Sequence, residues 1–168
     1  VQPTQYLDVS IAPNIYPSAS TRYTDTMSIS ENGIKYRVNT SNPSFSCGGG
    51  VMLTTNKDLS KFTSLHVKLA TLSSEQNSTM GQFGVNISAT PNININGYNP
   101  EPGSYLKTIV LGTSNGAGNS NITTPKTFSM DISDINQVAY PIVYFNTYSS
   151  QVGVSFFRTL TIYEWWLE

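Results

Sequence analysis

The sequence predicts an all-β fold: an antiparallel β-sandwich (jelly roll) of about ten strands with no significant helix. Three observations predict it. Apolar side chains recur at period two along most of the chain, the mark of half-buried antiparallel strands. The 3.6-residue period of an amphipathic helix is nearly absent. Turn formers such as "SNPS", "CGGG", "NGYNPEPGS" and "SNGAGNSN" punctuate the chain at fairly even spacing, as two packed sheets require.

Taken in order, the first strand is expected over Tyr6–Ile11. Thr26–Ser30 and "GIKYRV" flank Asn32-Gly33, a tight-hairpin signal because both residue types tolerate positive φ. In the second of these strands Ile34, Tyr36 and Val38 share one face, and Lys35 and Arg37 the other. Gly50–Thr54 follows the "CGGG" turn, which lacks the Lys-Ser/Thr ending of a phosphate loop and leads into a strand. "LHVKLA" sets Leu65, Val67 and Leu69 against His66 and Lys68. "QFGVNIS" sets Phe83, Val85 and Ile87 against Gln82, Asn86 and Ser88. After a long Asn- and Pro-rich connection, Thr90–Ser104, comes Tyr105–Leu111. "TFSMDI" sets Phe128, Met130 and Ile132 against Thr127, Ser129 and Asp131. Ala139–Thr147 and Phe156–Leu167 complete the set.

The 168 residues suit one domain, 1–168, and the start at Val1 suggests a segment excised from a longer protein. By area scaling, a chain of this mass hides about 69% of its unfolded surface, enough for a core without disulfides or metals. Cys47 is the only cysteine, so no internal disulfide forms, and it reads as a small buried hydrophobe. Charged residues make up 11% of the chain, against roughly 25% in ordinary domains. Ser, Thr, Asn and Gly replace them, giving a neutral, hydrogen-bonding surface.

That composition excludes several function classes. The nine Lys and Arg are scattered singly, and no basic cluster offers nucleic acid its counterion-releasing contacts. Apolar runs such as "AYPIVYF" are too short for a membrane-spanning helix of roughly 20 residues. Neither membrane insertion nor a cofactor is expected. The only histidine, His66, lies far along the chain from Cys47, so a cysteine–histidine nucleophile is not expected. Asp131 and Asp134 in "DISDI" read as turn chemistry, with Asp131 and Ser133 capping backbone amides. Glu164 and Glu168 are four residues apart on one strand, about 13 Å by strand rise, too far for a glycosidase pair. No catalytic or metal-ligating residue is assigned. Sequons at Asn39, Asn77, Asn86 and Asn121 are what chance gives in so Asn- and Ser-rich a chain.

The closing "RTLTIYEWWLE" carries both tryptophans. Adjacent strand residues face opposite ways, so only one indole can enter the core. An unpaired carboxylate is costly to bury, which makes the face of Glu164 and Glu168 the wet one. Trp166 is then outward, and Tyr163, Trp165 and Leu167 inward. Ile162 falls on the wrong side, which calls for a bulge within "FFRTL" or a covering loop. An outward indole serves as a ligand platform or packs beneath a loop or against another domain. In "AYPIVYFNTY", Tyr144, Asn146 and Tyr148 share the face opposite Val143, Phe145 and Thr147. Rings beside amides and hydroxyls match a sugar, which has an apolar C–H face and a polar rim. Tyr98 and Tyr105 bracket "YNPEPGSY", where Asn99 and Glu101 add polar groups. The candidate ligand-binding residues are Trp166, Tyr144, Tyr148, Asn146, Tyr98, Tyr105 and Glu164.

"GGGVMLTTNKDLSKFTSLHVKLATLSS", "TFSMDISDINQVAYPIVYFNTY" and "LTIYEWWLE" together resemble the jelly-roll carbohydrate-binding modules in tails of phages that infect Gram-positive bacteria. Those modules repeat a "DLSxYxxLxV" strand, a "DISxLxGxxYIxF" strand and a final "IxIYEIWLE" strand. The likeness covers roughly Val51–Ser74 and Lys126–Glu168; Met80–Ser120 has no counterpart. It implies a non-catalytic module of a distal-tail, tail-tip or baseplate protein, displayed in an oligomeric virion tail. Its implied partner is a host cell-surface saccharide. A structural or decoration domain of a virion, making protein–protein contacts, is the alternative.

Overall fold

Alternating strands present one apolar face each, and two sheets bury those faces by closing on each other. That arrangement is the one found in a computed structural model, which describes residues 9–12, 23–40, 47–53, 57–71, 79–90, 105–113, 122–148 and 156–168. The strands are β1 (Val9–Ala12), β2 (Tyr23–Ser30), β3 (Gly33–Thr40), β4 (Cys47–Leu53) and β5 (Lys57–Asp58). They continue with β6 (Ser64–Thr71), β7 (Thr79–Ser88), β8 (Lys107–Thr113), β9 (Lys126–Asp131), β10 (Val138–Tyr148) and β11 (Phe156–Leu167). One sheet runs β1-β4-β10-β7-β8, with β5 pairing β10; the other runs β2-β3-β11-β6-β9. All pairings are antiparallel. A long late strand, β10 or β11, lies at the centre of each.

Each expected strand with described residues is found, and β5 is one that alternation could not reveal because it has only two residues. The expected first strand is described only from Val9 onward. The core draws on both sheets. Ile34, Tyr36 and Val38 of β3 and Leu65, Val67 and Leu69 of β6 face Phe83, Val85, Ile87, Val143 and Phe145 of the β10 sheet, all essentially fully buried. Edge-to-face rings bridge the gap: Tyr36 on Phe145 at 5.6 Å and Phe83 on Phe128 at 5.7 Å. The inner-facing Tyr36 hydroxyl donates to Asp25 at 2.7 Å.

Two Asp-x-Ser turns fasten the strand ends. Asp58 caps a short 3-10 turn, Leu59–Lys61, accepting from the amide and hydroxyl of Ser60. Asp131 accepts from the same two groups of Ser133, as the sequence suggested. The serine hydroxyl in each case is the main reason the carboxyl stays below the usual range. Leu59 and Ile132, the middle residues, are fully buried. Lys107 of β8 then reaches across to the other sheet, donating to the Asp131 carbonyl and pairing with Asp134, both at 2.8 Å. "DISDI" is therefore a clasp between sheets.

The β2–β3 hairpin departs from expectation by one residue. Ser30 pairs with Gly33, so the connecting pair is Glu31–Asn32 rather than Asn32–Gly33. Gly33 carries the positive φ, 121°. A Cβ there would also lie 2.5 Å from the Ile162 carbonyl on β11. Gly33→Ala should therefore cost about 2 kcal/mol or more. Urea unfolding should show it as a lower midpoint at unchanged slope; a loss below about 0.5 kcal/mol would mean that the turn relaxes freely.

Candidate functional site

Strand β11 decides which side chains reach the surface. Its pairing with β6 slips between Ile162, opposite Leu69, and Glu164, opposite Lys68. Tyr163 is the extra residue, so the bulge lies one turn of the pleat later than "FFRTL". This resolves the phase problem: Ile162 is fully buried, Trp165 is 4% exposed, and both belong to the main core. Trp166 is outward and half-buried, as expected, and Glu164 is half-buried too. Tyr163 corrects the expectation of a core residue. The bulge turns it outward beside Thr159 and Thr161. Leu167 packs against the core as expected.

Trp166 sits in a cross-strand row. His66 of β6 is its registered partner and Ser129 of β9 is the partner of His66. The indole and imidazole stack at 4.8 Å between centroids and 17° between planes. The His66 ring has a polar neighbour at each nitrogen. Nδ1 lies 2.7 Å from the Ser129 hydroxyl, and Nε2 lies 2.8 Å from a Glu168 carboxylate oxygen. The second contact is one of proximity, because that oxygen is out of line with a ring N–H. The Glu168 backbone is in turn tied to Ser64 by an amide–carbonyl exchange. One ring is thus fixed so that it backs the other.

Beyond Tyr163 the same outer face opens into a groove of about 470 Å³. Two cross-strand rows floor it. Thr26, Arg37 and Thr159 form one row, and Ser28, Lys35 and Thr161 the next, from β2, β3 and β11. In each row a cation stands between two hydroxyls. The Arg37 guanidinium lies 3.8 Å over the Phe157 ring. Sequence reading placed Lys35 and Arg37 outward but gave them no role, because their hydroxyl neighbours come from other strands.

The other tyrosine set lies on the opposite outer face of the sandwich. Tyr144 points away from Val143 and Phe145, as the alternation requires, yet it is only 3% exposed. It clusters with Met52 and Ile142, and Tyr105 and Tyr140 pack against them. Glycines stand opposite it on both neighbouring strands, Gly50 and Gly84, and a Cβ at Gly84 would come within 3.1 Å of its hydroxyl. Gln82 donates to that hydroxyl at 2.7 Å. Burial drives the phenol's pKa up to about 12, opposed in part by this hydrogen bond. Nearby Asn86 is 1% exposed, with neither amide atom partnered among the described residues, so burial closes its sequon in the folded chain. Facing outward is therefore not the same as being exposed. Trp166 and Tyr144 belong to different sheets, and no single platform joins them. The side chains of Asn146, Tyr148 and Cys47, and all of Tyr98, Asn99 and Glu101, lie outside the described residues.

No protein-family model matches the chain, and no curated protein matches its sequence. Among solved structures, an exo-beta-agarase aligns over 99% of this chain and 24% of its own, with TM-score 0.38 and 10% identity. A structure of infectious bursal disease virus Gx strain aligns over 94% of this chain and 30% of its own, with TM-score 0.35 and 12% identity. The chain thus spans less than a third of the length of either.

Proposed function

We propose that this β-sandwich is a non-catalytic carbohydrate-binding module of a phage tail or baseplate protein, attaching the virion to host cell-wall polysaccharide. The observation that carries this reading is the outer face of the β11 sheet. There the half-buried Trp166 is backed by His66, and a groove rich in hydroxyls opens on the same sheet. Stacking on a ring with hydrogen bonds beside it is how a weakly charged surface holds a sugar. The motifs of the resemblance support the fold half of the reading: Leu59, Leu65, Val67, Ile132 and Trp165 in them are all buried. A millimolar contact of this kind is worth only about −4 kcal/mol. Repeated display on a tail raises the effective affinity by ~100-fold or more.

The test is Trp166→Ala in the labelled domain, applied to host and non-host cells. Folding should be retained and decoration of host walls lost. Undiminished decoration would remove Trp166 from the site.

A second reading, a structural virion domain contacting protein neighbours, draws on a different observation. Edge strand β8 shows Val110 at 48% exposure, with Leu106 at 41% just before the strand. On that reading Val110→Ser, not Trp166→Ala, disrupts assembly into the parent particle.

A further inference from the structure

We infer that the saccharide taken by the β11 face is an anionic one, its negative groups received by Lys35 and Arg37; the inference rests on the carbohydrate-binding reading above. The chain has only nine Lys and Arg in 168 residues. Two of them nonetheless share one face of β3, two residues and about 7 Å apart. No carboxylate among the described residues lines the groove with them. Among the described residues Lys61 and Lys107 each pair with an aspartate, and neither Lys35 nor Arg37 is in such a pair. Folding alone gives no reason to place like charges side by side without a counter-charge. A neutral glycan would be served by the hydroxyls of Thr26, Ser28, Thr159 and Thr161.

The cations are also set for recognition. Strand β3 is interior to its sheet, so Lys35 and Arg37 rise from a paired backbone with a hydroxyl on each side. The Arg37 guanidinium carbon lies 3.8 Å from the centre of the Phe157 ring, a contact that holds the side chain in place. A flat guanidinium presents a fork suited to a phosphate or carboxylate, and a lysine beside it adds a point charge. The spacing suits an extended chain bearing charge at successive units. Tyr163 lines the groove, and Glu164 and Trp166 follow it along β11.

The shared ligand chemistry is an oxyanion on a saccharide or polyol chain, from either a phosphodiester or a uronic acid. The full 168-residue domain is titrated calorimetrically with a glycerol phosphate oligomer, a galacturonate oligomer and an uncharged glucose oligomer of similar length. One anionic probe should bind at least about tenfold tighter than the neutral one, and the tighter of the two identifies the anion. Raising salt from about 20 to about 200 mM should weaken it. Lys35→Gln and Arg37→Gln should each weaken it about tenfold, while Arg37→Lys, which keeps the charge, loses less. Unfolding midpoints of the variants show that the fold persists.

Equal binding of charged and uncharged oligomers would overturn the inference, as would glutamine variants that bind like the wild type. Tighter binding of a single-stranded oligonucleotide than of either glycan would overturn it in favour of nucleic acid. Host-wall decoration that needs Trp166 but ignores both glutamine variants rejects the anionic assignment and leaves the carbohydrate reading standing. Absence of any wall decoration rejects that underlying reading instead.

Discussion

Replacing Trp165 by alanine should destabilise the domain by about 3–5 kcal/mol, against about 1 kcal/mol or less for the same change at Trp166. The two residues are adjacent and chemically identical, so strand phase alone makes the difference. Trp165 is 4% exposed and joins the core cluster that spans both sheets; Trp166 lies on the outer face against His66. In a domain of this size, the loss at Trp165 corresponds to a fall in Tm of roughly 6–20 °C. Trp165→Phe should be much milder. The indole Nε1 is buried with no partner among the described residues, so phenylalanine removes an unsatisfied donor along with some volume. Circular dichroism is the appropriate probe, since fluorescence changes with the substitution itself. Equal costs at the two positions would mean that the β11 bulge is misplaced.

The bulge also marks the limit of what the sequence made legible. Alternation in β3, β6, β7 and β9 sorted inward from outward side chains correctly, because a period of two is a local property of a strand. It also sorted Trp165 from Trp166, since burying an unpaired glutamate is costly enough to fix the wet face. It could not locate the slip at Tyr163. The slip is a matter of pairing between β11 and β6, and the backbone beside it packs against Gly33, whose missing Cβ leaves room for the Ile162 carbonyl. Nor could alternation say which outer face is open. Tyr144 and Trp166 are each outward on their strands, but one is sealed into an apolar cluster and the other is not. The groove was illegible for a related reason: its hydroxyl–cation–hydroxyl rows are assembled from β2, β3 and β11, and register between distant strands is not written in any one of them. Arg158 is a further case, 1% exposed although long charged side chains are seldom buried.

These differences move the candidate surface. The sequence groups Tyr144 and Tyr148 with Trp166 as candidate sugar-stacking rings, but a ring must offer a bare face to stack on a pyranose. At 3% exposure Tyr144 offers none, and its neighbours Met52 and Ile142 are equally enclosed. Its role is packing, with Gln82 satisfying the hydroxyl. The β11 face keeps partly open rings, cations and hydroxyls together, so the proposed saccharide site is placed there.

Packing of a phenol has a measurable consequence at high pH. The Tyr144 pKa stands at about 12 in the folded chain against 10.0 for the free side chain, chiefly through burial. The neutral form is the one the fold favours. Below pH 10 the phenol is protonated whether the chain is folded or not, and contributes no pH dependence. Between pH 10 and 12 the unfolded chain gives up this proton while the folded chain keeps it. Stability therefore falls as pH rises through that window. Two pKa units correspond to about 3 kcal/mol, fully lost once the folded pKa is passed. Other tyrosines and lysines titrate in the same range, so the measurement is a difference. Unfolding free energies of the wild type and Tyr144→Phe are compared from pH 8 to 12. The gap should be constant up to about pH 10 and then shift in favour of the variant by about 2 kcal/mol at pH 12, because phenylalanine has no proton to lose. A gap that stays flat across the whole range would show that this hydroxyl is in contact with water, and would return Tyr144 to the set of rings a ligand can reach.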